Sequence, residues 1–127
     1  VNLTESQRRA VERRGSSLLV AASAGSGKTE VLVRRCMSLI ADLHSPCGID
    51  QLLVVTFTRA AAAELRARLG QMLRKQAAES PDRRRRDHLR RQGVLIDAAD
   101  IGTIDAWCAR LVREHFAAAQ PGVDPAF

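Results

Sequence analysis

The sequence has no Cys-x-x-Cys pair, no His/Cys ligand spacing, no apolar run long enough for a membrane span, no signal-type apolar core at its start, and only two lysines, Lys28 and Lys75. Each absence excludes something. Cys36, Cys47 and Cys108 are widely separated, so they read as reduced thiols rather than a disulfide or zinc framework. Cys36 and Cys108 fall on apolar helical faces, where core packing is expected. A spanning helix needs about 20 consecutive apolar residues, and nothing here approaches that. The expectation is a soluble, cytoplasmic protein with no membrane partner. No internal repeat or low-complexity tract is visible.

With 46% hydrophobic residues in 127, the chain is one domain or part of one, and it can bury a modest core. Its net charge of +6 points to a polyanionic partner, but the charge is local. Asp82 to Arg91 holds six arginines against two aspartates and supplies +4 of it. Arg83, Arg84, Arg85 and Arg86 are either phosphate contacts or a solvated helix face.

Strands and helices alternate. Thr4-Glu5-Ser6-Gln7 opens a helix reaching about Arg14, with capping-box spacing between Thr4 and Gln7 and a stop at Gly15. Residues 17–22 are short, apolar and bounded by turn residues, as a buried parallel strand would be. Leu32, Cys36, Leu39, Ile40 and Leu43 recur at helical spacing, ahead of the turn cluster Ser45-Pro46-Cys47-Gly48. Leu52 to Val55 predicts a second buried strand, followed by a long helix through Ala62, Leu65, Leu69, Met72 and Leu73 that Ser80-Pro81 breaks. A basic helix then runs to about Gln92, and Asp100 to Thr103 predicts a third strand. The last helix has Ile104, Trp107, Cys108, Leu111, Val112 and Phe116 along one face. Trp107 is expected in the core, and the Pro121-Gly122 and Pro125 region in a loop. The fold class is α/β, a parallel sheet flanked by helices, with three strands too few for a complete sheet.

One stretch organises the rest. Val20-Ala21-Ala22-Ser23-Ala24-Gly25-Ser26-Gly27-Lys28-Thr29 joins an apolar run to a helical pattern through a glycine-bearing loop. Such a loop cradles phosphate: glycines let backbone N–H groups close around a polyphosphate at a helix N-terminus. In that reading Ala22, Ser23, Ala24, Gly25, Ser26, Gly27, Lys28, Thr29 and Glu30 form the ATP-binding stretch. Lys28 and Thr29 are its catalytic pair, the ammonium on the β- and γ-phosphates and the hydroxyl on Mg²⁺. Ala22 stands where the general pattern has Gly.

The cradle keeps specific company: Leu3-Thr4-Glu5-Ser6-Gln7 upstream, Thr56-Phe57-Thr58-Arg59-Ala60-Ala61-Ala62-Ala63-Glu64-Leu65 after the second strand, and Gly102-Thr103-Ile104-Asp105-Ala106-Trp107-Cys108 after the third. This ordered set resembles the N-terminal part of UvrD-like superfamily 1 DNA helicases. It is most similar to the AddA and RecB branch, whose cradles also start with Ala. The resemblance implies a P-loop, RecA-like domain of which residues 1–127 are the front portion, continuing beyond residue 127 in the parent. It implies Gln7 on the adenine, and Thr56, Phe57, Thr58, Arg59 and Thr103 along the path of single-stranded DNA. It also implies ATP and Mg²⁺ as cofactors, single-stranded and duplex DNA as partners, a partner subunit in a helicase-nuclease complex, and a role in recombination and double-strand break repair. Arg59 replaces the family's usual Asn, and Asp105-Ala106 its usual His-Ser, so Asp105 is not carried over.

Local alternatives stand beside these roles. Gln7 is also placed to cap its helix, and Phe57 to pack in a core. Val94-Leu95-Ile96-Asp97 has the strand-plus-acid shape of a Mg²⁺ carboxylate, which would make the chain a self-contained P-loop NTPase or nucleotide kinase. The basic stretch by itself would suit a non-enzymatic nucleic-acid-binding module.

Overall fold

The computed structural model describes residues 2–25 and 27–119. The Pro121-Gly122 and Pro125 region and Ser26 lie outside the described residues. Five helices, α1 (Glu5–Glu12), α2 (Lys28–Ile40), α3 (Arg59–Glu79), α4 (Arg83–Leu95) and α5 (Ile104–Ala119), surround two strands, β1 (Leu53–Thr56) and β2 (Asp100–Thr103).

The start of α1 follows from its first four residues. Gln7 N donates to Thr4 Oγ1 (3.3 Å) and Thr4 N donates to Gln7 Oε1 (2.9 Å), which satisfies two of the N–H groups a helix start leaves over. The helix ends at Glu12, ahead of Gly15, whose φ of +72° lies in the left-handed region. Two arginines then bind α1 to α2. Arg35 Nη1 donates to Ala10 O (2.7 Å), and the Arg14 guanidinium donates to Val11 O and Ser38 Oγ (both 2.8 Å).

In α2 the buried face is Val33, Cys36, Met37 and Ile40. The expected helix through Leu39 and Leu43 is corrected in two ways: α2 stops at Ile40, and Leu43 beyond it is exposed. The stripe is rotated onto Val33 and Met37, which join the core shared with Leu65, Leu69 and Leu73 of α3.

That surface is the expected one. Leu65, Leu69 and Leu73 of α3, with Ile40, Ile49 and Leu89, form the centre of the core, while Met72 packs at its margin. Thr58 caps α3, accepting from Ala61 N (3.1 Å). Three residues later than Glu79 the chain turns back: Asp82 accepts from the N–H groups of Arg84 (3.1 Å) and Arg85 (3.4 Å) and starts α4 antiparallel to α3. Gln92, buried in α4, accepts from Ile49 N (2.7 Å), so its burial leaves the amide oxygen satisfied. The segment 94–97 is not a strand but the end of α4 and a 3₁₀ turn over Ile96–Ala98.

β1 and β2 pair in parallel, Leu53 with Asp100 through Thr56 with Thr103. Val54 and Ile101 point into the core beneath α3, whereas Leu53 and Val55 face α5 and stay partly exposed. The strand expected to be buried is therefore buried on one face only. Arg66 of α3 fastens this sheet: its guanidinium donates to Ile96 O (2.7 Å), Asp97 O (2.9 Å) and Ile101 O (2.6 Å). One cation thus satisfies three carbonyls where the turn after α4 enters β2.

The expected first strand is also corrected. Residues 17–22 join no ladder among the described residues, and Leu18, Leu19 and Val20 are exposed. A strand exists by the ladder it joins, and residues 17–22 join neither open edge of the β1–β2 pair among the described residues. Nor is the α5 stripe buried. Ile104, Cys108, Leu111 and Val112 are exposed and Trp107 is half-buried, because among the described residues α5 packs mainly against the two strands.

Candidate nucleotide site and sheet edge

The loop before α2 turns on two glycines in the left-handed region, Gly25 (φ +76°) and Gly27 (φ +78°). Any L-residue with a side chain is disfavoured there. Gly27 is the N-cap of α2 and carries no capping side chain, which leaves the first-turn N–H groups without a cap from that residue. A Cβ on Gly27 would lie 3.3 Å from Gln7 Nε2, so the amide of Gln7 is packed directly against the turn. Gln7 closes the capping box of α1 and at the same time borders the loop.

Lys28 and Thr29 follow, both exposed in the first turn of α2. The Lys28 ammonium donates to Ala22 O (3.0 Å) and Ser23 O (2.7 Å), folding the first limb of the loop, with Ala24 at its bend, over the helix start. Glu30 is turned away from the loop. It pairs with Arg34 (2.5 Å) and reaches Arg68 of α3 (3.8 Å), itself bonded to Glu64 (2.6 Å).

Beside the loop lies a cavity of about 730 Å³ with Gln7, Ala10 and Ala22 on its walls and Lys28, Leu32 and Arg35 along one side of α2. Its size suits a nucleoside, and its combination of an apolar body with a few polar groups is that of a ligand pocket. Arg35 was not among the residues singled out from the sequence. Its signal was there: positions 28, 32 and 35 share one face of a helix.

These residues fit a nucleoside triphosphate. The loop offers left-handed glycines, helix N–H groups, an ammonium and a hydroxyl in the order phosphate binding requires. For Mg²⁺ the fit rests on the Thr29 hydroxyl, since no cluster of three or more His, Cys, Asp or Glu side chains able to hold a metal occurs among the described residues. Asp97 stands at the 3₁₀ turn held by Arg66, not at a strand end.

A second constellation lies at the carboxyl edge of the sheet, where Thr56 and Thr103 are register partners. Thr56 Oγ1 donates to Thr58 O (2.9 Å), and Thr103 Oγ1 accepts from Ala106 N (3.2 Å), capping α5. Phe57 projects between strand and helix with 97% of its surface exposed, which removes the core-packing alternative for its ring. Arg59, exposed, opens α3. Thr56, Phe57, Thr58, Arg59 and Thr103 are thus brought to one edge.

Beneath α5, Asp100 and Arg110 form an ion pair, and the guanidinium holds the Asp100 carboxyl below the usual carboxylate range. Nearby Trp107 lines a shallow cleft with Arg113 and Val55.

Residues 3–126 match the family described as the UvrD/REP helicase N-terminal domain. The chain belongs to the UvrD/REP helicase family. Among curated relatives it is 48% identical over 98% of its length to the AddA subunit of the ATP-dependent helicase/nuclease from Desulforamulus reducens, covering 10% of that protein. It is 45% identical, again over 98% of its length, to the proteins of the same name from Lachnoclostridium phytofermentans and Bacillus licheniformis, covering 9% and 10% of them. The chain therefore spans about a tenth of the length of these relatives. The match runs through the glycine loop before α2, β1 and β2 alike, so both constellations lie inside the family's domain.

Proposed function

We propose that this chain is the front portion, residues 1–127, of the RecA-like ATP-binding domain of an ATP-dependent DNA helicase. The parent is read as one subunit of a helicase/nuclease, working with a partner in cytoplasmic recombination and double-strand break repair. The observation that carries the reading is the loop. Gly25 and Gly27 in left-handed conformations, Lys28 and Thr29 at a helix start, and Gln7 against Gly27 reproduce at one place what nucleotide binding needs.

Within that reading Lys28 exchanges its two loop carbonyls for phosphate oxygens and balances charge on the β- and γ-phosphates. Thr29 would hold Mg²⁺ with its hydroxyl, and Gln7 would meet the base at the mouth of the cavity. Mg²⁺ would neutralise charge developing on the transferred phosphoryl group. Thr56, Thr58 and Thr103 border the single strand, with the exposed Phe57 ring available to stack on a base. The self-contained NTPase reading loses its support, because it needs Asp97 at the end of a strand and Asp97 stands in a helical turn.

The test is nucleotide affinity of the full-length protein. Lys28→Ala removes a charge-assisted phosphate contact, so ATP binding should weaken by about 1.5–3 kcal/mol, measured by calorimetry. Equal affinity in the variant and the parent would sink the assignment.

A further inference from the structure

We propose that the outward face of α4 docks the phosphate backbone of duplex DNA. This rests on the DNA-helicase reading above and extends it to a surface separate from the carboxyl edge of the sheet.

The sequence left open whether the arginine run touches phosphate or only water, and the fold sorts it. Arg85 and Arg86 turn inward, to Gln76 Oε1 (3.5 Å) and Ser80 O (3.3 Å). Arg83, Arg84, Arg90 and Arg91 turn outward and are exposed. At 100° per residue these four fall within about 120° of arc, opposite the buried Leu89 and Gln92. Asp87 is the one carboxylate on that arc, 3.7 Å from Arg83, which leaves a net charge of four minus one, +3. The guanidiniums of Arg84, Arg90 and Arg91 form no ion pair or hydrogen bond with a described residue.

Three features favour a duplex backbone. Arginines crowd the first turn of α4, where the helix dipole disfavours cations and no acid stands beyond the capping Asp82; local chemistry set against the helix it sits in marks a surface kept for binding. No Phe, Tyr or Trp occurs between Phe57 and Trp107, and the His88 ring of α4 is half-buried and bonded to Ile40 O, so the outward face of α4 presents guanidiniums for phosphate and no aromatic platform for unpaired bases. Finally, α4 starts beside the far end of α3, whose 21 residues carry it about 30 Å from the capping Thr58. A protein that separates strands must hold duplex and single strand at different places at once, and this separation supplies them.

The experiment measures binding of the full-length protein to a blunt duplex and to a single-stranded oligothymidylate across a salt series, without nucleotide. The variant carries Arg83→Gln, Arg84→Gln, Arg90→Gln and Arg91→Gln, and Arg8→Gln with Arg9→Gln on α1 controls for net charge. For the duplex, the slope of log affinity against log salt should flatten by about 0.9 per contact, roughly 3.6 for all four, while the single-strand slope stays as it was. Should the fourfold variant fail to fold, the pairs Arg83/Arg84 and Arg90/Arg91 are read separately, each expected to flatten the slope by about 1.8. An unchanged duplex slope overturns the proposal, as does a change per charge no larger than the α1 control or a loss confined to the single strand. An unchanged slope with loss of a copurifying protein would assign the face to that protein and overturn it equally. Nucleotide affinity is read independently through Lys28→Ala, so failure of one reading is distinguishable from failure of the other.

Discussion

Leu69, on the helically spaced apolar stripe of α3, has none of its surface exposed, while Leu19, in the short apolar run before the glycine loop, has 94% exposed. The difference lies in what each meets. α3 is met on its apolar side by α2, α4 and the sheet, so every leucine on that side finds a partner within the chain. Among the described residues, 17–22 join no ladder and α5 packs mainly against the two strands, with its outer side exposed. Hydrophobicity supplies the tendency to bury, and a partner at the right distance decides whether burial happens.

Truncation at the two leucines should break this comparison most visibly. Leu69→Ala should destabilise by about 2–5 kcal/mol, the range for a leucine deleted from a packed interior. Leu19→Ala should change stability by no more than about 0.5 kcal/mol. Urea denaturation reads both, and equal shifts in midpoint would mean the 17–22 segment is packed after all.

A second contrast is between thiols. Cys36 sits inside, and burial, with a smaller contribution from nearby Cys47, pushes its thiol up from an ordinary value of 9.0 to about 11. Cys108 on α5 is exposed. Because the folded-state value of Cys36 is the higher one, the folded chain holds this proton more tightly than the unfolded chain. Its contribution is complete below pH 9.0 and is lost as pH rises toward about 11, by about 2–3 kcal/mol in all. Melting temperature measured from pH 8.5 to 11 should fall in the parent and fall less in Cys36→Ala, whereas Cys108→Ala should follow the parent. Parallel profiles for all three would show that Cys36 is not shielded.

The smallest effect sharpens the loop itself. Gly27→Ala forces a side chain into the left-handed region and against Gln7, for which about 1–2 kcal/mol is expected. Adenine-nucleotide affinity should fall with it as Gln7 is displaced. A variant as stable as the parent with unaltered affinity would show that the turn at Gly27 is not required.

Much of this was legible in the chain. The capping box of Thr4 and Gln7, the apolar face of α3, the break at Ser80-Pro81 and the strand 100–103 depend on residues close in sequence, and local chemistry is written in sequence order. The order of motifs likewise pointed to the UvrD/REP family. The errors fall where the deciding partner is distant. The 17–22 run has the pattern of a buried strand but joins neither open edge of the two-stranded sheet among the described residues. The α5 stripe, with Cys108 on it, has the period of a core helix and only a sheet on one side. Leu43 follows a helical spacing that ends three residues before it.

The sequence by itself determined where the helices lie, the capping box of Thr4 and Gln7, and the family. Only the tertiary structure decided that Phe57 stands in solvent and that Gln7 lies against Gly27. It alone showed Arg66 stitching α3 to the entry of β2, and the arginine run dividing into an inward pair and an outward face. The reason is physical. A helix cap is settled within four residues, whereas exposure and contact depend on which surfaces the folded chain brings together across tens of residues.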